Sequence, residues 1–379
     1  VNSGEYRWHF QQTRHDIWDY DSSSPVVLFD VEKDGVIRKG ISQISKSGYL
    51  FLLDRVTGEP LTPIVETPVP QIAEQFTAAT QPIPQGDSMI NHCIDQAPEG
   101  WTLTNNGCTY TPFGREAALY APLAGSNWMP TAFDARTGYL YVCASESVGG
   151  AFLGDFTEAD LGVQTGQMIY GGGFKLPGGT TRTSYQIAVD TRDHTIVWKH
   201  VADGGCSSGA TVTAGDLLLI GRGDGRLLAM NSATGDKVWE FQTEAGVTPS
   251  PVVFEYEGKQ KILIFSAGSL FSPGPKGDGL RLLSLDGTLG PTQPDLSRVN
   301  TPPSILVGEA PAELTLPDSP VDLVRGEEIY TGLCFACHGP TGQGGHAEGG
   351  VIPGDSSIEH IYTIATRGGQ KMAAFEHVY

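Results

Sequence analysis

A repeat with a period of 41 residues constrains the fold of this 379-residue chain more than any other feature. Ala188 and Trp198 recur 41 residues later as Ala229 and Trp239. In the second copy Gly235 lies between them, in a Thr-Gly pair typical of a tight turn that needs a positive φ. Each copy therefore predicts a strand, a turn and a second strand, whose Trp can pack between neighbouring sheets.

Fragments of the same unit occur elsewhere. Residues 213–225 predict a turn, a strand and a Gly-rich turn immediately before the second copy. Four short strands in about 40 residues is the period of a β-propeller blade, and a β-sandwich with chance Trp spacing is the alternative. Asp-x-x-Thr-Gly turns recur at residues 54–58 and 134–138, and Gly4 and Trp8 have the spacing of Gly235 and Trp239.

Composition agrees with a turn-rich β protein and excludes several classes. The chain holds 49 Gly and 25 Pro, and its net charge of −19 argues against a nucleic-acid partner. It contains no apolar run of about 18 residues, so we expect no membrane span. It begins at Val1 without a signal peptide, and we interpret this N-terminus as processed or truncated.

The run Cys334-Phe335-Ala336-Cys337-His338 predicts covalent haem c. The thiols of Cys334 and Cys337 would add to the haem vinyl groups, and His338 would bind the iron. A redox Cys-x-x-Cys and half of a zinc site are weaker alternatives, because no second Cys pair follows. Haem c is attached outside the bacterial cytoplasm, so we expect a periplasmic protein.

The sixth iron ligand is predicted to be Met372, whose thioether raises the reduction potential. His346 and His377 are rival ligands. The chain ends soon after Met372, so we expect this small all-α cytochrome c domain to be cut short at its C-terminus. Predicted boundaries place a propeller at 1–290, a Pro-rich linker at 291–317 and the cytochrome at 318–379, with a short helix at 321–330.

Four further cysteines permit two disulfides in an oxidising compartment. Cys93 and Cys108 are the closest pair and lie in one irregular polar stretch. Cys143 and Cys206 lie in β-like segments, and we expect them to be ordinary buried thiols. The pairing of the four cysteines stays open at this point.

The segments His15-Asp16-Ile17-Trp18-Asp19-Tyr20-Asp21, Lys46 to Arg55 and Gly125-Ser126-Asn127-Trp128-Met129-Pro130 resemble the quinoprotein dehydrogenases. These are eight-bladed propellers that hold pyrroloquinoline quinone (PQQ) beside calcium. The resemblance covers nearly all of residues 1–290, but only the later blades. With the haem tail, the whole resembles a quinohaemoprotein alcohol dehydrogenase, a mainly β chain with a small helical domain.

The resemblance implies site residues. Asp19 falls on the catalytic aspartate, a general base that also binds calcium, and Lys46 on the basic residue that polarises the quinone oxygens. Asn127 and Trp128 fall on quinone-contacting positions. Asp21 is a weaker candidate in the same loop. We interpret His15 and Asp16 as shaping the turn, and Trp18 and Tyr20 as packing residues.

The implied function is oxidation of an alcohol at PQQ, with electrons passing through haem c to an acceptor such as a soluble cytochrome or copper protein. The family's other calcium ligands lie in earlier blades that are absent here, so we interpret the chain as a fragment or one part of an assembly. Residues 58–84 resemble membrane-type sugar dehydrogenases more, which leaves a sugar or polyol substrate open. Residues 206–209 replace a stretch where relatives often carry an aromatic. An alternative from a different functional class is a non-catalytic propeller joined to an electron-transfer domain.

Overall fold

The computed structural model describes residues 3–153, 172–174, 182–203, 205–269, 274–294, 322–330 and 357–367. The strands within these ranges are β1 (Val27–Lys33), β2 (Val36–Ile44), β3 (Leu50–Asp54), β4 (Ile64–Pro68), β5 (Thr80–Pro84), β6 (Ala118–Tyr120), β7 (Ala132–Asp134), β8 (Tyr139–Glu146), β9 (Gly149–Leu153), β10 (Gly172–Phe174), β11 (Thr183–Asp190), β12 (Thr195–Val201), β13 (Ala210–Val212), β14 (Leu217–Gly221), β15 (Arg226–Asn231), β16 (Lys237–Gln242), β17 (Val252–Tyr256), β18 (Lys259–Ser266) and β19 (Gly279–Leu283).

Four antiparallel meanders follow one another along the chain, in one compact unit formed by residues 1–155 and 174–296. They are β1-β2-β3, β7-β8-β11-β12, β13-β14-β15-β16 and β17-β18-β19, called here sheets A, B, C and D. Between sheets A and B lie the hairpin β4-β5 and strand β6, which pairs with β9. This succession of meanders confirms the predicted β-propeller architecture with blades of up to four strands.

Apolar side chains from successive sheets pack together and fix the order A, B, C, D. Sheet A and sheet B share the largest cluster, which includes Phe29, Ile44, Leu52, Val142 and Ile187. Sheets B and C share a second cluster, and sheets C and D a third. Each blade therefore buries its faces against its neighbours, as the period-2 apolar pattern of the strands requires.

The repeat seen in the sequence is also a repeat of strand register. Ala188 lies opposite Trp198, and Ala229 lies opposite Trp239. A register shift follows each alanine, between Ala188 and Val189 and between Ala229 and Met230. The two copies are therefore the same structural unit, and chance Trp spacing in a sandwich is excluded.

The predicted turns close in one manner. In the turns that begin at Asp54 and Asn231, the side-chain Oδ1 accepts hydrogen bonds from two following backbone amides. The fifth residue, Gly58 or Gly235, has a φ of 80° or 77° and donates its N–H to the first residue's carbonyl. His194 occupies the equivalent place in the first copy with a φ of 63°. Gly is preferred there because this backbone region strains a side chain that carries Cβ.

The blade Trp docks on the turn of the next sheet, as expected. Trp198 is buried, and its Nε1 donates to the carbonyl of Ser232 at 3.1 Å. Trp8 donates to the carbonyl of Arg55 at 3.3 Å, and Arg55 and Ser232 hold the same place in their turns. Trp8 therefore docks on the turn of sheet A as Trp198 docks on the turn of sheet C.

Two disulfides join the four remaining cysteines. The Cys93–Cys108 bond links two parts of one loop, and the Cys143–Cys206 bond links β8 to the segment that enters β13. The expectation of buried thiols at Cys143 and Cys206 was wrong. Their sequence separation of 63 residues gave no sign of contact, but packing of sheet B against sheet C brings their Cα atoms to 5.5 Å.

Helices α1 (Leu323–Ile329) and α2 (Ile358–Arg367) lie in the C-terminal part of the chain. The first confirms the short helix predicted over residues 321–330. Neither described helix has the length and apolar character needed to cross a membrane. The predicted haem residues Cys334, Cys337, His338 and Met372, the rivals His346 and His377, and linker residues 295–317 lie outside the described residues.

Candidate functional site

Two carboxylates project from the irregular segment that leads into β1. Trp18 and Tyr20 of this segment are buried, and Trp18 donates its Nε1–H to the carbonyl of Thr111 at 2.6 Å. Asp19 and Asp21 lie on either side of the buried Tyr20 and are directed outward, and the Asp19 side chain is 65% exposed. Asp19 has a φ of 64°, a backbone conformation that Asp tolerates better than most residues.

The residue expected to shape this turn does so. Asp16 Oδ1 accepts the backbone N–H of Trp18 at 2.9 Å, an arrangement that holds the chain in a local turn. Burial raises the pKa of Asp16, and hydrogen bonds from the Trp18 and Tyr20 amides offset part of that rise. Trp18 and Tyr20 stack with their rings 5.8 Å apart over Tyr110, so a rigid aromatic layer lies beneath the two carboxylates.

Lys46 lies between the two carboxylates. It occupies the turn between β2 and β3, and its backbone N–H donates to the carbonyl of Asp21 at 3.0 Å. Its Nζ lies 2.8 Å from Asp19 Oδ2 and 2.7 Å from Asp21 Oδ2. The Lys46 side chain is only 11% exposed. Burial lowers the pKa of Lys46, but hydrogen bonds to both carboxylates outweigh this effect, so the net pKa is raised and Lys46 stays an ammonium.

The Asn127-Trp128 segment contacts the same turn. Gly125 donates its N–H to the carbonyl of Lys46 at 2.6 Å. Asn127 Oδ1 accepts a hydrogen bond from the hydroxyl of Ser23 at 3.0 Å, two residues beyond Asp21. Trp128 follows and is 42% exposed. Three segments that are far apart in sequence therefore meet at one end of sheets A and B.

Residues 206–209, the segment that departs from the quinoprotein pattern, lie beside the segment that carries Asn127 and Trp128. Ala210 donates its N–H to the carbonyl of Pro130 at 3.0 Å, and Gly209 packs closely against the Pro130 ring. Cys206 is anchored to β8 by its disulfide. Residues 206–209 thus lie next to Pro130, which follows Asn127 and Trp128 in the sequence.

The structure places Asp19, Lys46 and Asn127 near one another, with Trp128 next to Asn127. It also gives Asp21 a larger part than we predicted, because Asp21 holds Lys46 through both its side chain and its backbone carbonyl. The sequence feature that could have indicated this role is the position of Asp21, two residues after Asp19. Asp19 and Asp21 lie on either side of the buried Tyr20, and both of their side chains are more than half exposed.

The donor groups suit a planar anionic ligand. Lys46 carries three N–H donors, of which two are used by Asp19 and Asp21, so one remains as far as the described residues are concerned. Asn127 adds an amide and Trp128 an aromatic face, which suits a quinone that carries carboxylates. For calcium, Asp19 offers one carboxylate, but no group of three His, Cys, Asp or Glu arranged for a metal occurs among the described residues. A complete calcium site therefore needs further ligands.

Comparison with known proteins assigns the class. Residues 1–165 and 164–262 match the sequence model described as "Glucose/ethanol/alcohol dehydrogenase, beta-propeller domain". The chain belongs to this family of propeller dehydrogenases. Residues 321–379 match a second model, "Cytochrome C oxidase, cbb3-type, subunit III", so a cytochrome domain follows the propeller as in quinohaemoproteins.

Individual relatives agree with this combination. The chain is 29% identical over 266 residues to the quinoprotein alcohol dehydrogenase PedH of Pseudomonas putida, covering 70% of this chain and 42% of PedH. It is 27% identical over 376 residues to the quinohemoprotein alcohol dehydrogenase ADH-IIG of Pseudomonas putida, covering 93% of this chain and 47% of that enzyme. The chain spans about half the length of these curated relatives.

A solved structure confirms the fold. The quinohemoprotein alcohol dehydrogenase of Comamonas testosteroni superposes with a TM-score of 0.60 at 22% identity, over 99% of this chain and 53% of that chain. A europium-containing methanol dehydrogenase superposes with a TM-score of 0.51 over 70% of this chain and 43% of that chain.

Proposed function

We propose that this chain is part of a periplasmic quinohaemoprotein dehydrogenase that oxidises an alcohol with PQQ and calcium and passes the electrons through haem c to an external acceptor. A soluble cytochrome or copper protein is the proposed acceptor. The observation that supports this most is the Lys46 ammonium held between Asp19 and Asp21 beside Asn127. The related alcohol dehydrogenases named above support the substrate class.

Asp19 is proposed as the general base. Its carboxylate is exposed and accepts a charge-assisted hydrogen bond from Lys46. It can therefore accept the hydroxyl proton of an alcohol at Oδ1, while Oδ2 remains on Lys46. Bound PQQ would supply the hydride acceptor.

Lys46 is proposed to hold Asp19 in place and to direct its remaining N–H toward the cofactor oxygens. Asp21 fixes the ammonium from the other side, so the donor is oriented before a ligand enters. Asn127 is proposed to donate from its amide Nδ2, because Ser23 already occupies its Oδ1. Trp128 offers a ring face that excludes water from one side of the ligand.

The haem assignments are proposed on sequence grounds. Cys334 and Cys337 would hold the haem covalently, with His338 and Met372 as iron ligands. The match of residues 321–379 to a cytochrome model supports these roles. This placement gives the electrons leaving the propeller a one-electron carrier on the same polypeptide.

Turnover of the full chain reconstituted with PQQ and calcium tests the proposal. Primary alcohols, polyols and sugars would be compared with a dye acceptor, which separates an alcohol enzyme from a sugar or polyol enzyme. Asp19→Asn should lower kcat by at least about a hundredfold, the usual contribution of a general base. The matched control Asp30→Asn removes a carboxylate that pairs with Arg55 on sheet A and should leave kcat unchanged. PQQ binding without turnover of any substrate, or full activity of Asp19→Asn, would contradict the proposal.

A further inference from the structure

A small cavity lies behind the turn that carries Lys46. Its volume is about 30 Å³, enough for one water molecule, and its lining includes Gly48, Tyr49, His92, His194 and Asp87. Gly48 and Tyr49 belong to the five-residue turn in which Ser45 donates its N–H to the carbonyl of Tyr49. Anything that fixes these two residues also fixes Lys46 between them and β2.

His92 is a cavity residue that contacts this turn through both its ring face and its Cε1 atom. Its ring stacks on Tyr49, with the ring centroids 4.0 Å apart and the planes at 9°. A Cβ added to Gly48 would lie 3.2 Å from His92 Cε1, so the imidazole is in contact with the turn backbone as well. Gly48 has a φ of 82°, which leaves the turn few alternative conformations for a larger residue.

The hydrogen bonds of His92 define its tautomer. Thr109 Oγ1 lies 2.7 Å from the carbonyl of Ala121 and donates its single proton there. The same oxygen lies 2.8 Å from His92 Nδ1, so Nδ1–H is the donor in that contact. His92 Nε2 is then an acceptor, is shielded from solvent and has no protein partner among the described residues. A water in the cavity can donate to it.

A covalent bond holds this arrangement. The Cys93–Cys108 disulfide joins the residues next to His92 and Thr109, and Thr109 also donates its N–H to the carbonyl of His92 at 2.7 Å. The imidazole is therefore anchored by a disulfide, two hydrogen bonds and an aromatic stack. Burial lowers the pKa of His92 to about 4, so the ring is neutral at ordinary pH and places no second cation behind Lys46.

We propose that His92 is a positioning residue for Lys46: the disulfide-anchored imidazole packs against Tyr49 and Gly48 and so holds the ammonium between Asp19 and Asp21. This role rests on the proposed function only in its consequence for PQQ binding. The geometric part, the effect of His92 on the environment of Lys46, does not depend on the cofactor.

Competitive acylation of lysines in the full chain, read out by mass spectrometry, tests the geometric part. Lys46 is nearly buried and bound to two carboxylates, so it should be acylated slowly, whereas the exposed Lys259 reacts fast. His92→Ala should raise the acylation rate of Lys46 at least about fivefold and leave Lys259 unchanged. His92→Phe, which keeps a ring on Tyr49, should remain within about twofold of the parent. The control His200→Ala, an exposed histidine on β12, should have no effect.

An unchanged rate at Lys46 in His92→Ala would overturn the proposal. If that variant unfolds, all lysines will accelerate together, and Tyr49→Leu then decides. This variant removes the ring on which His92 stacks. A rise in the acylation rate of Lys46 alone then supports the proposal, and an acylation rate equal to that of the parent chain refutes it. The consequence for the cofactor is tested by PQQ binding to the full chain, measured as fluorescence quenching. The Kd for PQQ should rise about tenfold in His92→Ala. A parent chain that binds no PQQ contradicts the proposed function, and leaves the acylation result to decide on His92.

Discussion

Lowering the pH from 8 to 5 should weaken the fold through His194, a side chain that is only 2% exposed. His194 lies in the turn between β11 and β12, and its ring packs against Gly86 of the inserted loop between sheets A and B. Burial lowers its pKa from 6.5 to about 4, against smaller opposing effects of Asp87 and Asp193. The folded protein therefore binds a proton at this site less readily than the unfolded chain does.

The sign and size follow from linkage. The unfolded chain takes up a proton as the pH falls through about 6.5, whereas the folded protein does so only near pH 4. The contribution of the neutral His194 to the free energy of unfolding is therefore fully present above pH 6.5 and is lost as the pH falls toward 4. At pH 5 the loss has extended over about 1.5 pH units at 1.36 kcal/mol each, which gives about 2 kcal/mol from this residue.

Urea unfolding at pH 8 and pH 5, monitored by tryptophan fluorescence, measures this loss. His194→Asn removes the titrating ring and suits the left-handed backbone with a φ of 63°. Its stability should fall by about 2 kcal/mol less between the two pH values than that of the parent chain. The exposed His200→Asn should retain the parent's pH dependence. An equal loss in the parent and in His194→Asn would refute the reasoning.

Two further predictions concern the blades and their covalent link. In a urea titration, Trp198→Phe should lower the free energy of unfolding by about 1 kcal/mol, because the hydrogen bond to the Ser232 carbonyl is lost. Trp239 is 43% exposed, so Trp239→Phe should lower it by less than about 0.5 kcal/mol. Replacing both Cys143 and Cys206 by Ser should lower the free energy of unfolding by about 4 kcal/mol, since the disulfide joins residues 63 apart and restricts the unfolded chain. A decrease of less than about 1 kcal/mol, measured by calorimetry, would argue against this explanation.

The blade architecture could be predicted because its signals are local. Tight turns such as that at Asn231, and the Ala229-to-Trp239 spacing, reflect hydrogen bonds within about ten residues. The four meanders follow from repeating this unit, whose apolar alternation also assigns the faces. Asp19 and Lys46 could be predicted through the quinoprotein resemblance, and the structure brings their charged atoms to 2.8 Å.

Contacts between distant segments could not be predicted in the same way. The Cys143–Cys206 disulfide depends on how sheet B packs on sheet C, and neither segment carries a local sign of it. The contribution of His92 depends on an inserted loop that folds back against Tyr49. The importance of Asp21 depends on where Lys46 comes to lie. Each of these features is set by tertiary packing, on which local propensity has little influence.

Reduction of the chain's own haem by an alcohol tests the central claim most directly. The full chain, loaded with PQQ, calcium and haem, would be mixed anaerobically with a primary alcohol while the haem c absorption is followed in a stopped-flow instrument. We predict that the haem of the parent chain is reduced, and that Asp19→Asn, compared at saturating PQQ and calcium, slows this reduction by at least about a hundredfold. Haem that stays oxidised in the loaded parent chain, or that is reduced equally fast in Asp19→Asn, would contradict it.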